Sequence, residues 1–470
     1  YKDTLTVVLA EDPLTLDPQS ANKVIIWSVI PYFYDSLLKE NQDGTVEPKL
    51  AVEWQLLDDV TWRFKLRQGV KFHNGNPFTA EDVLYSFQRA KKNPLSASTF
   101  QYFDTDNTKI LDDYTIDVKL FRPYAPIFNT LTNARGFIVD KEYVEEVGDA
   151  KAAINPIGTG PYKFVSWISG SELRGTRFDD YWDDRAVTQN VVVKFITEAS
   201  NRAIELETGN ADIIYEIDSA DADRVEAFPN AHIVSGTSFR YHTLTFSMQD
   251  PILKDKRVRY ALSLGVDKPA LVKAVFGNTA VAASGFMPPT VFAYKDTGVL
   301  PYDPAEAKRL LAEAGYPNGV TFKFLHEARE VDFRMAEVIQ NMWKQIGVTL
   351  EDYAMESKTY AAGGNKFQVG QRAGNADEAS NILIIYDSAF ADKLQGNDKK
   401  LDDMLHNAMT LYDADKRAAA YAEIQDYLYD QRWSVPLAFT DALYGVSDKV
   451  QNFQFHPNQR LEVWKMSVLQ

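Results

Sequence analysis

The chain of 470 residues contains no cysteine, which excludes disulfide staples, thiolate nucleophiles and Cys-ligated zinc while leaving the compartment open. Histidine is scarce as well. The six residues His73, His232, His242, His326, His406 and His456 include no pair four apart and no H-E-x-x-H, so no helix-borne zinc pair is offered. Basic residues are outnumbered, 50 against 66 acidic, and the resulting net charge of −16 argues against nucleic acid or an anionic membrane as a partner, since both need a basic patch. No apolar run approaches the length of a membrane span, and Tyr1-Lys2-Asp3 is not followed by a signal-like apolar stretch. The expectation is a cytosolic chain or a processed, secreted one.

Catalytic signatures are equally thin. There is no Gly-x-Ser-x-Gly elbow, and Gly158-Thr159-Gly160 leads into neither a helix start nor a Gly-Lys pair, so it is not a phosphate loop. Acid pairs occur at Asp58-Asp59, Asp112-Asp113, Asp179-Asp180, Asp183-Asp184 and Asp402-Asp403. Two carboxylates suit a glycosidase, but adjacent residues on a turn point apart, and turn formation explains the pairs better. A secreted carboxylate-dependent hydrolase is therefore the alternative class, behind a protein that makes no bonds. Aromatic residues are plentiful at 13%, mostly for cores, with a surplus that suits a ligand-gripping cleft. The length allows two or three domains.

The most legible stretch runs from Ala51 to Phe87. Val60, Trp62, Phe64 and Leu66 alternate with polar residues, the period of a strand with one buried face. His73-Asn74-Gly75-Asn76-Pro77 reads as a loop, and Thr79 as the N-cap of a helix with Asp82 at N3 of a capping box and Phe78 and Val83 as a staple. Elsewhere Leu5–Leu9, Tyr114–Leu120, Tyr162–Trp167, Asn190–Ile196 and Val435–Phe439 read as strands. Ser200–Thr208, Met335–Ile346, Leu401–Leu411 and Asp415–Tyr429 read as helices. Strand Asn190–Ile196, helix Ser200–Thr208 and Ile213 together look like a βαβ unit.

The string Trp62-x-Phe64-x-Leu66-Arg67-x-Gly69-Val70-Lys71-Phe72-His73-x-Gly75-x-Pro77-Phe78-Thr79-Ala80-Glu81-Asp82-Val83 resembles the signature of the family 5 extracellular solute-binding proteins, the peptide and nickel receptors of ABC importers. Asn155-Pro156-Ile157-Gly158-Thr159-Gly160-Pro161-Tyr162 with Asp180-Tyr181-Trp182 is similar too, and the likeness extends over the whole chain. It implies an α/β, two-lobed periplasmic-binding-protein-like fold of class II type with an extra peripheral subdomain on the first lobe. The first lobe would comprise 1–30, 156–246 and 452–470, the subdomain 31–155 and the second lobe 247–451. Hinge crossings would lie at Phe246–Asp250 and near Gln451.

The function implied is capture of a peptide or peptide-like polar solute by lobe closure and delivery to ABC-type permease subunits. The protein would be a monomer in the periplasm or a cell-surface lipoprotein, with no cofactor, catalytic residue or metal ligand. Opine-like conjugates, oligosaccharides, nickel chelates and haem are the other solutes the family leaves open. Asn22 and Lys23 follow the first strand as cleft-lining candidates. Val369 to Asp377 looks like the family's G-W-x-x-D stretch, with Gln371 where Trp is usual and Gly374 where the Asp that binds an α-amine is usual; Arg372, Asn375 and Asp377 belong to the same stretch, and Asp377, three residues on, is the candidate substitute for the missing acid, the alternative being that no acid replaces it. A second wall Trp would fall near Ser357. Arg329 is the expected carboxylate anchor, with Arg240 as a further cation.

Overall fold

The computed structural model describes residues 1–21, 23–41, 45–217, 219–356, 359–360, 367–389 and 398–470. The chain divides into two compact units, one formed by Tyr1–Gly236 with Ala442–Gln470 and the other by Thr237–Asp441. Both divisions fall inside long strands, Ala231–Phe246 and Ser434–Ser447, ten residues before the boundaries 246 and 451 that sequence suggests. Asp250-Pro251 reads as a break, yet Phe246, Met248 and Leu253 are all buried in the core of the second unit and Ser247 N–H donates to Gln368 O at 2.8 Å. A strand that continues through a boundary leaves no mark in its alternation.

In the first unit the strand Thr4–Leu9 pairs in parallel with Asn190–Phe195 on one side and Ile213–Tyr215 on the other. The expected βαβ unit is thus widened: strand Asn190–Phe195, helix Ala199–Glu207 and strand Ile213–Tyr215 straddle the N-terminal strand instead of being neighbours. Leu5, Val7 and Leu9 enter one core cluster and Val8 another, which is why this strand lacks polar alternation. A second, four-stranded antiparallel sheet carries Ala51–Asp58, Thr61–Leu66, Thr115–Lys119 and Lys109–Asp112 in that order. Beside it lies the helix Ala80–Lys92 with its expected capping box complete: Glu81 N–H donates to Thr79 Oγ1 at 3.3 Å and Thr79 N–H to Asp82 Oδ2 at 2.9 Å.

The glycines of the N-P-I-G-T-G-P-Y string have a steric purpose. A Cβ at Gly158 or Gly160 would lie 2.1 Å from Phe33 O and 2.5 Å from Phe33 C respectively, so only glycine lets these backbones touch. Thr159 Oγ1 between them donates to the buried carboxylate of Asp35, which also accepts from Tyr181 and Trp182 and pairs with Lys49 at 2.8 Å. The C-terminal run from Gln451 to Leu469 is mostly irregular, with one turn and the short 3-10 helix Val463–Lys465; within it and its border only Val450–Gln451 and Ser467–Val468 pair as strands.

In the second unit Val320–Glu327 pairs in parallel with Val348–Met355, the helix Glu330–Lys344 connecting them, and with Val369–Asn375 on its other edge. That helix begins five residues earlier than its apolar stripe suggests, because Arg329, extended at φ −115°, occupies the N-cap position. Val369–Asn375 in turn runs antiparallel to Arg240–Phe246. No helix of the described residues is long and apolar enough to cross a membrane.

Candidate functional site

The strand pair Arg240–Phe246 and Val369–Asn375 sets the register of most of the candidate residues. Arg240 lies opposite Asn375, Tyr241 opposite Gly374, His242 opposite Ala373, Thr243 opposite Arg372 and Leu244 opposite Gln371. Residues opposite each other in an antiparallel pair share a face, and faces alternate along the strand. One face therefore carries Arg240, His242, Gln371 and Asn375. The other carries Tyr241, Thr243, Arg372 and Gly374.

On the first face the side chains are tied into the start of the helix Glu330–Lys344. Gln371 is buried, its Nε2 donating to Asp332 Oδ1 at 2.7 Å, while its Oε1 is buried without a partner. Asp332 Oδ2 accepts from Arg329 Nε at 2.5 Å, and Glu327 meets Arg329 Nη2 at 2.8 Å. Arg329 is thus matched by two carboxylates, a finding its position in the sequence does not convey. His242 is buried against the Phe276 ring at 5.1 Å with neither ring nitrogen hydrogen-bonded. Burial first, then the charges of Arg240 and Arg329, hold its imidazole well below the ordinary range, so it is neutral.

On the second face Tyr241 occupies the space over residue 374. A Cβ added at Gly374 would lie 2.5 Å from the Tyr241 ring and its hydroxyl oxygen, closer than any real contact. Burial pushes the Tyr241 hydroxyl up to about 12, opposed by Arg372. Tyr360 donates from its hydroxyl to Gln371 O at 2.7 Å and is likewise raised to about 12 by burial, again opposed first by Arg372. Past the strand, Asp377 is half-buried and precedes Glu378, which is buried at the N-cap of helix Ala379–Leu383 and held above the ordinary carboxylate range by that burial.

The structure brings together Arg240, Gln371, Arg372, Gly374 and Asn375 in one strand pair and ties Arg329 to it through Asp332. Lys23 belongs to the first unit, where its ammonium pairs with Glu11 at 2.5 Å on the surface. Asn22 and Ser357 lie outside the described residues. Sequence reading missed Tyr241, His242, Glu327, Asp332 and Tyr360. Period-two alternation around Arg240 flags Tyr241 and His242 as opposite-facing neighbours, but no local pattern announces that Asp332 and Glu327 share Arg329. Among the described residues there is no cluster of three or more His, Asp or Glu placed to hold a metal ion.

Residues 45–392 match the model of a family described as bacterial extracellular solute-binding proteins, family 5. The dipeptide-binding protein of Escherichia coli is 29% identical over 462 residues, covering 89% of this chain and 86% of its own length. Heme-binding protein A of Haemophilus influenzae is 28% identical over 462 residues, covering 90% and 84%. Among solved structures, HbpA2 from Haemophilus parasuis superposes with a TM-score of 0.87 at 26% identity, covering 99% of this chain and all of its own.

Proposed function

We propose, from the premise that the chain belongs to the bacterial extracellular solute-binding proteins of family 5, that its solute is a peptide-like polar molecule whose amine end is not held by an ion pair at residue 374. As a member of that family it is a solute-binding component of an ABC importer, operating outside the cytoplasm and passing its solute to a membrane permease; its relatives are binding proteins and not enzymes. The observation that carries the solute reading is the Tyr241 ring standing where any side chain at 374 would begin. A neutral phenol replaces a carboxylate there. A buried ammonium without a counter-charge is costly, so a free α-amine is disfavoured at this position.

Arg240, Arg372, Asn375 and Asp377 are the second unit's proposed solute contacts, and Asn22, Lys23 and Ser357 are proposed as further ones. Arg329 and Gln371 are proposed to position those contacts through Asp332. A monomeric state, a lipid anchor and a peripheral subdomain formed by 31–155 belong to the same proposal. The test is a thermal-shift panel of free and N-acetylated di- to tetrapeptides beside sugars, metal chelates and haem. A charge-assisted hydrogen bond contributes about 1.5–3 kcal/mol, roughly ten- to a hundredfold in affinity, so a protein without one should lose nothing on acetylation and bind the acetylated form at least as tightly as the free one. Stabilisation by free peptides that disappears on acetylation and in Asp377→Asn would assign the amine to Asp377 and overturn the reading.

A further inference from the structure

Three buried cations surround the C-terminal turn of the helix Ala414–Gln431, in the second unit and away from the strand pair described above. Arg259, Lys268 and Arg432 are 5%, 2% and 5% exposed, and among the described residues none has a carboxylate within ion-pair distance. Arg259 is answered by carbonyls alone, those of Leu253, Lys254 and Gln431 at 2.7–3.0 Å. Lys268 Nζ donates to Ala283 O at 3.1 Å, and burial, reinforced by Arg432, pushes its ammonium down to about 7. In a chain of net charge −16 this corner is locally positive.

Arg432 differs from the other two in having donors to spare. At φ 51° it holds the left-handed conformation that usually falls to Gly or Asn at a helix end, and its guanidinium packs on the rings of Tyr260 and Tyr429, 4.3 and 3.8 Å from their centroids. Nη1 donates to the Tyr429 carbonyl, whereas Nε is buried with no partner. With Nη1 bonded and Nε buried, Nη2 is the donor left open to a ligand, and a charge-assisted hydrogen bond from it suits a carboxylate oxygen. Arg432, Tyr260 and Tyr429 line a pocket of about 650 Å³ whose apolar wall includes Leu264, Leu300 and Leu310. The other charges on its wall are already matched: Lys256 by Asp430 at 2.9 Å, Arg257 by Asp255 at 2.6 Å and Glu306 by Arg309 at 2.5 Å.

We propose that this pocket is a second binding site, separate from the solute site, for a monocarboxylate with an apolar body, its carboxylate hydrogen-bonded to Arg432 Nη2 and its body against the leucines. Arg432 is the one of the three cations on the pocket wall, and its single unmatched charge there calls for a single negative charge. A phosphate dianion would bring a second one that nothing on the wall answers, and acetate would leave the apolar wall unused.

The full chain is titrated by calorimetry with benzoate, acetate and inorganic phosphate, and crystals are soaked in 4-bromobenzoate. Benzoate should saturate one site, with acetate and phosphate each at least roughly tenfold weaker, and the anomalous bromine peak should fall in the pocket. Arg432→Gln should weaken benzoate roughly tenfold or more. Tyr260→Ala, which keeps Arg432, should weaken it several-fold and serves if the first variant does not fold. Absence of saturable binding, phosphate tighter than benzoate, a bromine peak only elsewhere, unchanged affinity in the folded variants, or loss of benzoate in Arg372→Ala instead would each overturn the assignment.

Discussion

His73 sits between two backbone groups of the Gly-Thr-Gly string: Gly158 N–H donates to its Nδ1 at 3.4 Å, and its Nε2 lies 2.9 Å from Gly160 O. The acceptor role of Nδ1 places the proton on Nε2 and makes the ring neutral. Burial pushes the imidazole from its ordinary 6.5 down to about 4, with the Gly160 carbonyl opposing the shift. A depressed folded value favours the neutral form, so the stability involved is fully present above about pH 6.5 and is lost as pH falls from there towards 4. By pH 4.5 that loss should reach about 2–3 kcal/mol. Urea unfolding at pH 7 and pH 4.5, in the wild type and in His73→Gln, reads it directly: the wild type should lose this much more than the variant, and equal losses would remove His73 as the cause.

At the level of elements, the strand, loop and helix between Thr61 and Lys92 are set by short-range chemistry. Thr79 and Asp82 close the capping box, while Phe78 and Val83 are both fully buried beneath it. Thr79→Ala removes the side-chain acceptor for one helix N–H and should cost about 1 kcal/mol, seen as a lower urea midpoint at unchanged slope. A changed slope would mean that the denatured state or cooperativity, not the cap, had altered. The Gly-Thr-Gly and Asp-Tyr-Trp strings belong to one element-level device, since Thr159, Tyr181 and Trp182 all converge on Asp35. Their separation along the chain hides that shared purpose.

The whole molecule is two units between which the chain crosses twice, once within Ala231–Phe246 and once within Ser434–Ser447. A receptor that captures solute by closure binds its ligand better in the closed state, because a ligand shifts a conformational equilibrium only by its difference in affinity for the two forms. Small-angle scattering should therefore give a smaller radius of gyration with a saturating solute than without. An unchanged radius with a confirmed solute would count against closure. The same solute, recovered after long incubation, should be chemically intact, and turnover would restore the hydrolase alternative.

What the sequence determined by itself is what depends on neighbours in the chain: strands from alternation, the capped helix, the acid pairs at turns such as Asp112-Asp113, though Asp402-Asp403 lies inside the helix Lys399–Ala408 instead, and strings dense enough to mark the family. Tertiary structure alone decided how separate segments share a charge or a volume. Arg329 stands out in sequence as a free cation, but folding places it between Glu327 and Asp332. Gly374 reads as a missing acid, and only the register of its strand against Arg240–Phe246 shows that Tyr241 has taken the space. Arg432 carries no motif at all, and its unmatched guanidinium emerges once the residues around one helix end are assembled. Local patterns arise from the geometry of consecutive residues, whereas ion pairing and steric exclusion depend on distances in space that a linear spacing does not encode.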